Sequence, residues 1–64
     1  MSLNTKILQV LGDEKLTVDE IYSFLKDDHE KYEINSRMAV LVKQKKVGKE
    51  YLPTQPKPFY FALK

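Results

Sequence analysis

Apolar residues recur at helical spacing near the start of the chain. Ile7, Leu8 and Leu11 share one face of a helix predicted over about 4–11. Asn4 is the candidate N-cap, because its side chain can accept a hydrogen bond from a free N–H of the first turn. Gly12 suits the position after the last turn, where a left-handed backbone commonly ends a helix.

A second helix is predicted over about 18–27, and its start is the strongest local signal in the sequence. Thr17-Val-Asp-Glu20 is a capping box, in which the Thr17 hydroxyl and the Glu20 carboxylate bond each other's backbone N–H groups. Leu16 and Ile21 stand at the two positions of a hydrophobic staple. The acidic run that follows, residues 27–31, predicts a solvated turn longer than the usual three or four residues.

A third helix is predicted over about 35–46, with Asn35 or Ser36 as its cap. Ile34, Met38, Leu41 and Lys45 align on one face of this helix, and the three apolar residues predict its buried side. The opposite face is small and basic, with Ser36, Ala39, Val40 and Lys43 flanked by Arg37, Gln44 and Lys46.

Alternation replaces the helical period in the last quarter of the chain. Residues 47–63 predict two strands joined by a polar loop that contains three prolines, which cannot lie in a central strand. Alternation places Phe59 and Phe61 in the core and Tyr60 outside. A very short strand around Leu16 is expected to pair with this hairpin, because an isolated hairpin is marginal in water.

Length and composition predict one small domain that folds through its apolar core. Sixty-four residues suit a single domain, and 42% hydrophobic residues exceed what disordered chains carry. There is no cysteine, which excludes a disulfide framework and a thiolate zinc site. Apolar runs such as Ala39 to Val42 fall far short of the roughly 20 residues of a membrane span. The expected location is therefore the cytoplasm.

Charge is divided unevenly between the two halves of the chain. The first 32 residues carry four lysines and seven acids, a formal charge of −3, while the rest carry Arg37 and six lysines against two acids, a charge of +5. A basic half joined to an acidic half predicts a surface that faces a polyanion, with the acids turned away from it.

The order of elements resembles the winged helix-turn-helix family over almost the whole chain. The order is helix, short strand, capped helix, turn, helix, strand, loop and strand, and the segment from Ile34 to Tyr51 resembles a recognition helix that leads into a first wing strand. The family often carries a glycine at the end of this helix, where Lys45 or Lys46 stands here. The resemblance implies an α+β fold, a small winged helix-turn-helix of three helices and a C-terminal β-hairpin wing, which binds double-stranded DNA.

The resemblance also implies base contacts from the third helix in the major groove. Arg37 suits a bidentate contact to guanine, and Gln44 or Asn35 suits adenine. Val40 or Ala39 would touch a thymine methyl group.

Phosphate contacts are expected from polar and basic side chains around the same helix. Ser36 with the helix N-terminus would hold one phosphate. Sequence-independent contacts are expected from Lys43, Lys46 and Lys49. In the wing, Gln55 and Lys57 would reach the minor groove or the backbone. The expected protein is a small transcriptional regulator of the kind that phages or mobile elements encode, and it would act as a homodimer or with a partner protein.

Other functions find less support in the residues. His29 is the only histidine and lies in an acidic turn, so no enzyme activity, metal site or cofactor is expected. A protein-interaction module that docks through its acidic half, or through Val40 and Tyr60, is the main alternative, because one fold can host both roles. A DNA mimic, suggested by the seven acids of the first half, is a third.

Overall fold

A computed structural model describes residues 2–63 of the chain. In this range three helices precede an antiparallel two-stranded hairpin, in the order α1 (Leu3–Leu11), α2 (Val18–Leu25), α3 (Lys31–Lys43), β1 (Val47–Glu50) and β2 (Phe59–Ala62). The α+β fold predicted from the pattern is confirmed, and the layout is consistent with that of a winged helix.

Helix α1 begins earlier than predicted. Ser2 is its N-cap and accepts a hydrogen bond from the Thr5 N–H at 3.2 Å. Asn4 already lies inside the helix, so its assignment as the cap was wrong; Ser2 offers the same kind of acceptor nearer the chain start. Gly12 ends the helix as expected, with φ 53° and its N–H bonded to the Leu8 carbonyl at 3.0 Å.

Helix α2 begins as the capping box predicts. Thr17 Oγ1 accepts from the Glu20 N–H at 3.3 Å, and the Thr17 N–H donates to Glu20 Oε1 at 3.0 Å. The two staple residues, Leu16 and Ile21, are both buried in the core. The helix ends at Leu25, two residues before its predicted end, where the Leu25 carbonyl accepts the N–H groups of Asp28 and His29.

Helix α3 begins four residues earlier than predicted. Glu30 is its N-cap residue, and the Glu30 N–H donates to Glu33 Oε1 at 2.9 Å. Asn35 and Ser36 therefore lie within the helix, and neither is the cap. The prediction failed because glutamate is not among the preferred N-cap residues, so the Glu30–Glu33 pair was not recognised as a start.

The end of α3 is a Schellman motif built without glycine. The helix stops at Lys43, three residues before its predicted end. The Lys46 N–H bonds to the Leu41 carbonyl and the Lys45 N–H to the Val42 carbonyl, both at 3.0 Å. Lys45 takes the left-handed conformation, with φ 60°. This is where the winged-helix resemblance leads one to expect glycine.

The hairpin is confirmed, but the prediction of its buried face was wrong: Tyr60, and not Phe59 and Phe61, lies in the core. Tyr60 is only 9% exposed, whereas Phe59 and Phe61 are partly exposed and Leu63 is 45% exposed. Because Tyr60 pairs directly with Lys49, and Ala62 with Val47, the core-facing side of the hairpin carries Val47, Tyr60 and Ala62. Alternation alone could not select the face, since aromatic residues stand on both sides of β2.

Leu16 extends the sheet as the predicted third strand, though as a single bridge. Its N–H donates to the Tyr60 carbonyl at 2.9 Å, and its carbonyl accepts from the Tyr60 N–H at 2.7 Å. All five elements and this bridge contribute to one apolar core, formed by Ile7, Leu11, Leu16, Ile21, Leu25, Ile34, Met38, Leu41, Val47 and Tyr60. Among residues 2–63, no helix is long and apolar enough to cross a membrane.

Candidate nucleic-acid interface

The solvent-facing side of α3 is close to the predicted one, with one aromatic residue added. Ile34, Met38 and Leu41 are buried, and the opposite side presents Tyr32, Ser36, Ala39, Val40 and Lys43 to solvent. Tyr32 is 70% exposed and lies one helical turn before Ser36. Tyr32 was not among the predicted DNA contacts, since it precedes the predicted start of the helix. The signal that would have revealed it is its spacing of four residues from Ser36.

Two predicted base-contacting residues lie on opposite flanks of α3. Asn35 and Arg37 are separated by about 200° around the helix axis, at about 100° per residue. Asn35 lines a cleft of about 260 Å³ that is bounded by Val18 and Pro58. Arg37 lines a different groove of the protein. Asn35 and Arg37 therefore do not belong to one row of contacts along the major groove of DNA.

The groove beside Arg37 runs between α3 and the start of α1. It measures about 410 Å³, and its lining includes Ser36, Arg37, Val40, Tyr32 and Leu3. Ser36, Arg37 and Val40, three of the predicted DNA-contacting residues, thus come together here, beside an apolar wall that can accept a methyl group or a ring.

An acidic residue lies beside Arg37 in that groove. The pKa of Glu33 is lowered mainly because its carboxylate accepts the Glu30 N–H, and the neighbouring His29 and Arg37 lower it further. His29 Nδ1 lies 3.7 Å from Glu33 Oε2. The Glu33 carboxylate therefore offsets part of the positive charge of Arg37 at this surface.

Three lysines follow one another closely at the C-terminal end of α3. Lys43, Lys45 and Lys46 are exposed, and none forms an ion pair with any residue between 2 and 63. Gln44 between them is also exposed. From Ile34 to Lys49 the chain contains no acidic residue, so the three lysines have no acidic neighbour in this stretch of sequence.

Lys49 is positioned on β1 by two aromatic rings. Its Nζ lies 5.2 Å from the centre of the Tyr51 ring and 5.9 Å from that of Tyr60. The hydrogen bond with Tyr51 raises the pKa of Lys49, and Tyr60 raises it further. The ammonium is therefore charged throughout the physiological range and is held on the hairpin near its loop.

The predicted wing contacts behave differently from each other. Gln55 is exposed, in a turn where its N–H bonds to the Leu52 carbonyl at 3.2 Å. Lys57 instead folds back and forms an ion pair with Asp19 at the start of α2, and Lys31 pairs with the same carboxylate. Hydrogen bonds from Lys31 and then Lys57 lower the pKa of Asp19 to about 2. Lys57 is thus held by an acid from a distant part of the chain, which the sequence did not predict, and its contact with DNA stays a prediction.

No group of His, Asp and Glu side chains among residues 2–63 is arranged to hold a metal ion. The sequence matches no protein-family model and no curated protein, and no solved structure matches it.

Proposed function

We propose that this protein binds double-stranded DNA by placing the exposed side of α3 in the major groove. The observation that carries the proposal is the group of unpaired lysines at the end of α3, adjoining an outward face of small and neutral residues. An α-helix fits the major groove, and cations at its end suit phosphates. In this arrangement Ser36, Ala39 and Val40 meet base edges, while Lys43 and Lys46 bind the backbone.

The residues around α3 divide into two roles on this proposal. Tyr32 joins the base-facing row, because it lies on the same side of the helix as Ser36. Lys45 and Lys49 add phosphate contacts on the way into the hairpin. A lone module of this size buries about 600–1,000 Å² of its own surface on DNA, so useful specificity calls for two copies on paired half-sites or for a partner protein. Such a protein regulates transcription by occupying a promoter or by recruiting that partner.

Fluorescence anisotropy with a pool of random DNA duplexes, titrated across salt, tests this proposal. The Lys43→Gln/Lys46→Gln variant removes two charges from the end of α3, and Lys15→Gln/Lys26→Gln removes two exposed charges from elsewhere. We expect the first variant to bind more weakly and to reduce the slope of log K against log salt by about 1.8. The second variant should bind almost as tightly as the wild type. Equal losses in both, or no binding at low salt, would contradict DNA binding through α3.

A protein-interaction role is the second candidate, and the groove beside Arg37 is the observation that favours it. Tyr32 is 70% exposed and Val40 is 37% exposed along this groove. Tyr60 is buried and does not contribute to such a surface. If the wild type failed to bind duplexes, Tyr32→Ala and Val40→Asp would be the variants with which to map a protein partner.

A further inference from the structure

Two lysines from distant parts of the chain converge on one carboxylate where α2, α3 and the hairpin loop meet. Lys31, the first residue of α3, pairs with Asp19 Oδ1, and Lys57 of the loop pairs with Asp19 Oδ2. We call these three residues the Asp19 cluster. The side chains of Lys31, Lys57 and Asp19 are 49%, 62% and 41% exposed, so the cluster is open to solutes.

We propose that Lys31 and Lys57 form a binding site for a phosphate group, which the Asp19 carboxylate occupies in the free protein. A carboxylate bridged by two ammonium groups shows that the two lysines already stand in positions to share one oxyanion. A phosphate offers more acceptor oxygens than a carboxylate and carries as much negative charge or more. Asp19 therefore acts as an internal competitor for this site.

The surroundings of the cluster suit an anion. Two cations face a single acid, which leaves one positive charge uncompensated. Lys31, Lys57 and Asp19 line the cleft of about 260 Å³ together with Asn35, whose exposed amide adds a donor. Exposed ion pairs are weak, so exchanging the carboxylate for a phosphate costs little.

The site lies at the opposite end of α3 from the lysines of the proposed DNA interface. Lys31 and Lys43 are separated by about 18 Å along the axis, more than the roughly 12 Å width of the major groove. Cations at the two ends of α3 can therefore reach the two phosphate backbones that border the groove. If the phosphate belongs to duplex DNA, this inference rests on the proposed function. Asp19 then weakens DNA binding, because it holds the two lysines in ion pairs.

The test compares Asp19→Asn with Asp27→Asn, an exposed acid that forms no ion pair within residues 2–63. Both variants change the net charge equally. We expect Asp19→Asn to bind duplex DNA about tenfold more tightly than the wild type, within the range for releasing two exposed ion pairs. Asp27→Asn should change the affinity less than about twofold. Adding Lys31→Gln/Lys57→Gln to Asp19→Asn should abolish the gain.

A second arm uses inorganic phosphate and does not depend on DNA. NMR of the lysine side-chain ammonium groups should show Lys31 and Lys57 shifting on titration with phosphate, at lower concentration in Asp19→Asn than in the wild type. Such shifts without duplex binding by any variant would support the anion site, with a free phosphate group as its ligand. The same result would contradict the proposed function.

Two results overturn the inference. One is duplex binding that depends on Lys43 and Lys46 but has the same affinity in Asp19→Asn and Asp27→Asn. The other is the absence of any NMR shift of the Lys31 and Lys57 ammonium groups on titration with phosphate. Should Asp19→Asn fail to fold, Lys31→Gln/Lys57→Gln with Asp19 intact takes its place. That variant must bind duplexes more weakly than the wild type, or the proposal is wrong.

Discussion

The ring of Phe61 lies against the Cα of Gly48 on the paired strand and fills the space that a Cβ there would occupy. Gly48 lies on the side of the hairpin opposite Val47 and Tyr60 and has no side chain there, so the Phe61 ring covers its backbone. Lys15 Nζ lies 5.5 Å from the centre of the same ring. The Phe61 ring therefore lies between the Lys15 ammonium group and the backbone of Gly48.

Gly48→Ala should therefore destabilise the fold by about 1–3 kcal/mol, because the Phe61 ring must move to admit the methyl group. Urea unfolding followed by circular dichroism measures the change. Phe61→Leu in the same background should recover part of the loss, since the two positions are in contact and their effects do not add. An alanine variant as stable as the wild type would show that the ring does not press on Gly48.

Lys45→Gly should stabilise the protein by up to about 1 kcal/mol, since glycine adopts a left-handed backbone without the steric cost that lysine bears. Lys46→Gly is the matched control, because it removes the same charge at a residue whose φ is not positive. Thermal unfolding should rank Lys45→Gly above the wild type and Lys46→Gly below it. The reverse order would mean that the Schellman motif at the end of α3 is not strained.

Tyr60→Ala should destabilise the fold by about 3–5 kcal/mol, the range for removing a buried aromatic side chain. Leu63→Ala, at a residue 45% exposed, should cost less than about 0.5 kcal/mol. Chemical denaturation of the two variants decides which face of β2 is buried. Similar losses in both would contradict the burial of Tyr60.

Stability should fall with acid between about pH 4 and pH 2, partly through Asp19. The pKa of Asp19 in the folded chain, about 2, is below the ordinary value of 3.8, so the folded state favours the charged form. The contribution is present above pH 4 and is lost as the pH falls toward the folded pKa.

Asp19→Asn should flatten the dependence of stability on pH in this window, and Asp27→Asn should leave it as in the wild type. Thermal unfolding at several pH values measures both, and added salt should reduce the difference between them. Identical pH profiles would show that Lys31 and Lys57 do not hold the Asp19 carboxylate in solution.

Local chemistry in the sequence determined most of the architecture. Helical periodicity and the hydrophobic staple identified Ile7, Leu11, Ile21, Ile34 and Met38 as core residues, all of which are buried. The capping box placed the start of α2, because its hydrogen bonds join residues only three positions apart. The small, basic outer side of α3 also followed from the spacing of its residues.

Tertiary structure decided what depends on residues far apart in the chain. Tyr60, not Phe59 or Phe61, enters the core because Leu16 bonds to its backbone and fixes which side of β2 meets the helices. The pairing of Lys57 with Asp19, 38 positions away, could not be predicted, because no local pattern links the two residues. A local sequence pattern determines helical periodicity and capping, because both depend on residues a few positions apart. It does not determine which distant charge or strand becomes a neighbour, because that depends on how the apolar core packs.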